Sequence, residues 1–358
     1  MPLAKQLKNF FYESPLAFMK TVLFDSIVFD ERARYMCKFG CKNYNRKYSC
    51  PPASLSIYKK IKNKNYKWAT LFATTYQLPK NASFFRTKAF NNQKEMEIQR
   101  IVNQLDGIME RSKVDHLSLS GGSCQKCRKC SLVSNEACKK PQFKYASMEA
   151  VQVDCQKTMH NAEFDFQMPN IGSVNRCGCI LTNEDGLSEV EFRKSESLQR
   201  FHIPSREETV DMCSRLVEEY PKLFQEVRLI PISDLRIEES LCDEECEKYE
   251  KNFSCPSFSE KIQLDLWKNA IIWKWNRSKY KKYRYNIASK TIHSAFFSLG
   301  HYFALALRDC YCDECSPCTF SLNNRSICSY RKILAPSMQS QGINLDTFGS
   351  GKFGIELI

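Results

Sequence analysis

The sequence predicts an α/β or α+β fold made of two duplicated domains, each a small sheet with helices and two cysteine-rich loops. Three observations predict it. Cysteines recur in two sets with nearly the same intervals, short branched and aromatic runs alternate with amphipathic stretches, and 43% of the 358 residues are hydrophobic, enough for two cores of ordinary size. The repeats are expected at 1–185 and 225–358, joined by a helical connector at 186–224.

Each half opens with a run rich in branched apolar residues, VLFDSIVFD at 22–30 and VRLIPISDL at 227–235, read as a strand leading into a cysteine loop. A second strand follows that loop, YKWATLFATTYQL at 66–78 and NAIIWKWNRSKY at 269–280. Next comes EMEIQRIVNQLDGIMERS, where Met96, Ile98, Ile101, Leu105, Ile108 and Met109 fall mostly on one face at a 3.6-residue period, so the spacing predicts a helix. KTIHSAFFSLGHYFALAL, 290–307, takes the same place in the second half. A further strand should then enter the second cysteine loop of each half. In the connector, Pro204 breaks a helix-rich stretch and Ser205 to Glu208 forms a capping box for the helix that follows. Near residue 350, GSGK faintly suggests a phosphate loop, but the glycine-to-lysine spacing is wrong.

The nineteen cysteines give the chemistry. Cys37, Cys41 and Cys50 form one set and Cys124, Cys127, Cys130 and Cys138 a second. Cys242, Cys246 and Cys255 repeat the first with identical intervals, and Cys312, Cys315, Cys318 and Cys328 repeat the second apart from the last gap. The surroundings repeat too: KYSCPP answers NFSCPS, and KYASMEAVQ answers LAPSMQSQG. No run is long and apolar enough for a membrane span, and no export signal is evident, so a cytoplasmic protein is expected and metal is favoured over disulfides.

Three cysteines at two-residue gaps with a fourth downstream is the way ferredoxin loops wrap a 4Fe–4S cubane, because short gaps let one loop reach three corners. Zinc is the alternative, although zinc sites more often present cysteines two and two. The three-cysteine sets could hold a cluster with an open iron, or be closed by Cys138, Cys155 or Cys310. Their spacing departs from that of radical enzymes using S-adenosylmethionine. All fourteen repeated cysteines are candidate ligands, for up to two clusters per half. Outside the pattern, Cys213 reads as packing on the connector helix, while Cys177 and Cys179 are expected to face apart and are left unassigned. His116, His160, His202, His293 and His301 show no zinc-enzyme spacing, and neither a serine nucleophile elbow nor a dinucleotide fingerprint is found.

A net charge of +13 calls for an anionic partner. WKWNRSKYKKYRY at 273–285 mixes bases with aromatic rings as nucleic-acid grooves do, though inward-packed rings with solvated lysines explain it better. YKKIKNKNYK at 58–67 takes the matching place in the first half, and basic patches beside the cysteine sites would dock an acidic redox protein.

The CPP that closes the three-cysteine loop, the CxxCxxC loop with its later cysteine, SMEA, and GHYFALAL leading into CYCDEC together resemble the prokaryotic predicted metal-binding protein family of unknown function. The resemblance covers about 20–185 and 225–345, two tandem copies. It implies bound metal, iron–sulfur before zinc, and a cytoplasmic anaerobic or microaerobic role, without a substrate. CPS for CPP, SMQS for SMEA and the lack of a counterpart to Cys155 set the second half apart. The leading expectation is an iron–sulfur redox protein passing electrons to a partner or bound substrate. An iron–sulfur enzyme with open clusters doing reductive or sulfur-transfer chemistry, and a zinc-stabilised nucleic-acid-binding module, are the alternatives.

Overall fold

A computed structural model describes residues 2–78, 84–164, 166, 173–188, 190–194, 203–238, 261–275, 283–307, 338, 341, 343–344, 348 and 353–358. The chain divides into two compact units, residues 1–37 with 43–202, and residues 203–358 with 38–42. Each mixes helices with one sheet, as an α/β architecture requires.

In the first unit α1 (Leu3–Glu13), β1 (Phe18–Leu23), α2 (Arg32–Tyr35), α3 (Leu55–Asn63), β2 (Trp68–Gln77), α4 (Phe84–Arg111), β3 (His116–Ser120), β4 (Ala146–Ser147), α5 (Cys155–Asn161), β5 (Ser173–Thr182) and β6 (Glu191–Arg193) follow in order. The sheet runs β4-β3-β5-β2-β1-β6, antiparallel except for the β3–β4 pair. Its side chains alternate between two cores, as a period of two dictates. Met19, Phe72 and Ile180 pack with Leu7 and Phe11 of α1 and Ile98, Val102 and Leu105 of α4. Phe18, Leu71, Ala73, Cys177 and Cys179 face Ile61 of α3 and Cys155 and Met159 of α5. The first expected strand is shifted: it ends at Leu23, and residues 24–26 form a 3-10 turn.

In the second unit α6 (Arg206–Glu219), β7 (Phe224–Pro231), β8 (Asn269–Trp275), α7 (Tyr283–Leu299), β9 (Leu305–Leu307) and β10 (Phe353–Leu357) build a sheet ordered β7-β8-β10-β9. This is the order β1-β2-β5-β3 over again, with every pair antiparallel in both. Even the close contacts recur. Gly178 lies opposite Phe72 and Gly354 opposite Trp273, and a Cβ at Gly178 would come within 2.5 Å of the Phe72 ring, with Trp273 closer still to one at Gly354.

Ile271, Trp273 and Phe224 pack beneath Cys213 and Leu216 of α6 and Ala288, Ile292 and Phe296 of α7, so Cys213 is a packing residue. Of residues 186–224, the strand Glu191–Arg193 pairs with β1 and the helix Arg206–Glu219 packs on β7. The capping box forms, with Glu208 N–H donating to Ser205 Oγ at 3.1 Å and Ser205 N–H to Glu208 Oε2 at 2.7 Å. The stretch 290–307 is not helical throughout: α7 stops at Leu299, Gly300 takes φ +121°, and the ALAL run becomes β9. Residues 353–357, just beyond GSGK, form β10 rather than a phosphate-binding helix. Trp273 is buried, as inward packing of that aromatic run requires, whereas 276–282 fall outside the described residues.

Candidate metal centre

Strand β3 runs into the four-cysteine loop, and β4 brings the chain back beside it. Between them, Gly121 and Gly122 make the turn: a Cβ on Gly121 would collide with the Cys177 carbonyl, and Gly122 takes φ +78°, where L side chains are strained. Two side chains from α4 then fix the entry to the loop. Glu95 Oε1 accepts from Ser123 N–H at 2.7 Å and from its hydroxyl at 3.0 Å, while buried Gln99 donates to the Ser123 carbonyl and accepts from Gln125 N–H at 2.9 Å. After Cys130, a 3-10 turn at Ser131–Ser134 and a left-handed Asn135 fold the chain back. Ser131 Oγ donates to the Ala137 carbonyl at 2.7 Å, so the residues next to Cys130 and Cys138 are tied together across the seven-residue gap.

The segment carrying Cys50 packs against this loop. Ser49 Oγ accepts from Cys124 N–H at 2.8 Å, Lys47 Nζ donates to the Cys124 carbonyl at 2.6 Å, and Asn43 Nδ2 donates to Ser123 Oγ at 2.8 Å. Farther along, Tyr48 Oη donates to the Glu136 carbonyl at 2.6 Å and Ser147 N–H to the Ser49 carbonyl at 3.2 Å. Two loops separated by some seventy residues in sequence therefore meet at Cys50 and Cys124. Cys50 is buried, while Cys124, Cys127, Cys130 and Cys138 are half-buried. Burial pushes the Cys124 thiol up, Cys127 and Cys138 add to the rise, and Lys47 opposes it. Cys37 is half-buried in the first unit, and half-buried Cys41 lies in the 38–42 segment assigned to the second. Cys242, Cys246, Cys255, Cys312, Cys315, Cys318 and Cys328, with Cys310, lie outside the described residues.

None of the described cysteines is in a disulfide. Four thiols on one loop suit iron or zinc by donor chemistry. Among the described residues, no three His, Cys, Asp or Glu side chains already stand close enough to hold an ion.

Cys155, Cys177 and Cys179 are a separate matter. Two residues apart on β5, Cys177 and Cys179 share a face instead of facing apart, both in the core that holds Cys155. Cys177 Sγ lies 3.8 Å from Met148 Sδ, and the Cys155 thiol is held well above its usual range by its hydrogen bond with Cys177 and by burial. Cys155 thus sits with core sulfur atoms.

The polar support of the site was the part that sequence reasoning missed. Asp106 on α4 accepts from Ser118 Oγ at 2.5 Å, His116 Nε2 at 2.9 Å and Tyr145 Oη at 3.0 Å. Ser118 and Tyr145 flank the cysteine loop, so one carboxylate holds both of its ends. Within 58–67, Lys62 lies over the Phe29 ring, Lys64 and Lys67 pair with Asp115 and Asp185, and Lys59 and Lys60 are exposed.

Comparison with known families matches residues 20–182 and 228–355 to the model described as predicted metal-binding protein, DUF2284. The chain belongs to this family. The two matched segments agree with tandem copies, one on each of the two like-ordered sheets. No curated protein and no solved structure matches the chain. Among the described residues, no helix is long and apolar enough to cross a membrane.

Proposed function

We propose that the protein is an iron–sulfur redox relay, in which Cys124, Cys127, Cys130 and Cys138 hold a 4Fe–4S cluster in the first half and Cys312, Cys315, Cys318 and Cys328 hold its counterpart. Cys37, Cys41 and Cys50, with Cys242, Cys246 and Cys255, supply the second set of each half. The observation that carries the reading is the CQKCRKC loop, folded back at Ser131–Ala137 toward Cys138 and braced by α4. Three thiols at two-residue gaps on one loop suit the corners of a cubane better than a two-and-two zinc site. Such a cluster supplies one-electron transfer. The chain's own part is to hold the loop, through Asp106, Glu95, Gln99 and Ser49, and to set Lys47 beside it, where a positive charge favours the more negative, reduced form. An acidic redox protein is the proposed partner.

Anaerobic purification with iron, zinc and acid-labile sulfide analysis tests this. A brown protein with iron and sulfide in equal amounts is expected, and an electron paramagnetic resonance signal should appear on reduction. Stoichiometric zinc in a colourless, sulfide-free protein would overturn it and leave the zinc module standing.

A further inference from the structure

We infer that the outer face of the four-cysteine loop is a docking surface for an acidic protein, an inference that rests on the relay reading for why such a partner binds there. Between Gly121 and Tyr145 the sequence places Lys126, Arg128, Lys129, Lys139, Lys140 and Lys144 against a single acid, Glu136. The fold sorts these cations into two groups. Lys126 lies 4.7 Å from the Phe143 ring centre and Lys144 5.3 Å from that of Tyr48, so their charges are held against the loop, as Lys47 is by the Cys124 carbonyl. Arg128, Lys129, Lys139 and Lys140 are exposed. Only Lys139 has an ion pair among the described residues, a loose one of 3.6 Å to Glu136.

A cation placed to balance thiolates gains from being close and shielded, as Lys47 is. One left in water acts on the thiolates only weakly, because solvent screens it. The exposed group is therefore better suited to steering an approaching protein, where exposed charges act chiefly on encounter. Arg128 and Lys129 are themselves the residues between Cys127 and Cys130, so a partner seated on them comes within one residue of two ligands. A protein partner is favoured over nucleic acid because two rings available for stacking at this face, Tyr48 and Phe143, already carry lysine ammonium groups.

The test uses the full chain and fluorescent poly-L-glutamate as probe, read by anisotropy at low and raised salt. Arg128→Glu/Lys129→Glu/Lys140→Glu should weaken binding about tenfold or more, and the corresponding glutamine triple less. A control triple, Lys5→Glu/Lys8→Glu/Lys222→Glu, at exposed lysines outside both basic stretches, should have little effect. Equal loss in the control would overturn the proposal, since net charge alone would then explain binding. So would a single-stranded oligonucleotide that stays bound through the loop residues at the salt that releases polyglutamate. The probe does not report metal. Iron-free protein that still binds through the loop would sink the relay and leave the docking face, whereas iron-loaded protein indifferent to the loop triple would do the reverse.

Discussion

Replacing Asp106 with alanine removes the acceptor shared by His116, Ser118 and Tyr145, and so releases both ends of the four-cysteine loop from α4. Hydrogen bonds to a charged acceptor contribute about 1.5–3 kcal/mol each. Asp106 and His116 expose only 18% and 10% of their side chains, so little of the loss is recovered from water. Tyr145 keeps Asn103, at 3.1 Å, which returns part of it. With the bonds of His116 and Ser118 lost outright, the net cost should be about 3–6 kcal/mol, read as a lower urea midpoint by circular dichroism.

The pH dependence of that cost is sharper evidence than its size. Burial alone would lower His116, but the Asp106 hydrogen bond and the Val114 carbonyl outweigh it and raise the imidazole above 6.5. That contribution is complete below pH 6.5 and fades as pH rises through the raised value. Burial would raise Asp106, but the bonds from His116 and Ser118 outweigh it and hold the carboxyl below 3.8. Its contribution is complete above pH 3.8 and fades as pH falls through the lowered value. The difference between wild type and Asp106→Ala should therefore be greatest between about pH 4 and 6.5 and shrink on both sides. A flat difference, or one under about 0.5 kcal/mol throughout, would refute the reasoning.

Gly178→Ala should cost about 1–3 kcal/mol through collision with Phe72, Gly354→Ala should do the same against Trp273, and Phe72→Leu should recover part of the first loss in a double-mutant cycle. Gln99→Ala leaves the Ser123 carbonyl and Gln125 N–H without their partner, so it should destabilise by about 1–3 kcal/mol and speed metal loss to a chelator. Serine at Cys124, Cys127, Cys130 and Cys138 together should remove the metal of that loop, measured by elemental analysis. Cys155→Ala should leave metal content unchanged, because that thiol lies in the core with Cys177.

The alternation of strand and helix was legible because β2 and α4 bury apolar residues at the periods their segments display. The repeat was legible from cysteine intervals, and the matching strand orders bear out two like domains. Other features depend on partners far away in the chain. Nothing near Ser49 announces that its hydroxyl will hold the Cys124 amide, 75 residues on. Gln99 and Asp106 are polar residues in an amphipathic helix, ordinarily its wet side, yet both turn toward the loop and the strand before it. Gly300 could have marked the end of α7, since a glycine after a helix is a common stop. The pairing of Cys177 with Cys179 on one face was available from the period of two alone.

The strand order has one more consequence, for the making of the protein. In both sheets the piece that fills the middle, β5 or β10, is synthesised after the strands on either side of it. A nascent chain must keep β2 and β3, and later β8 and β9, apart with bare edges until the closing strand arrives. The inner pairings of each sheet therefore wait on a strand made late in that half, and long-range pairings of this kind are slow to form and leave strand edges exposed until they do.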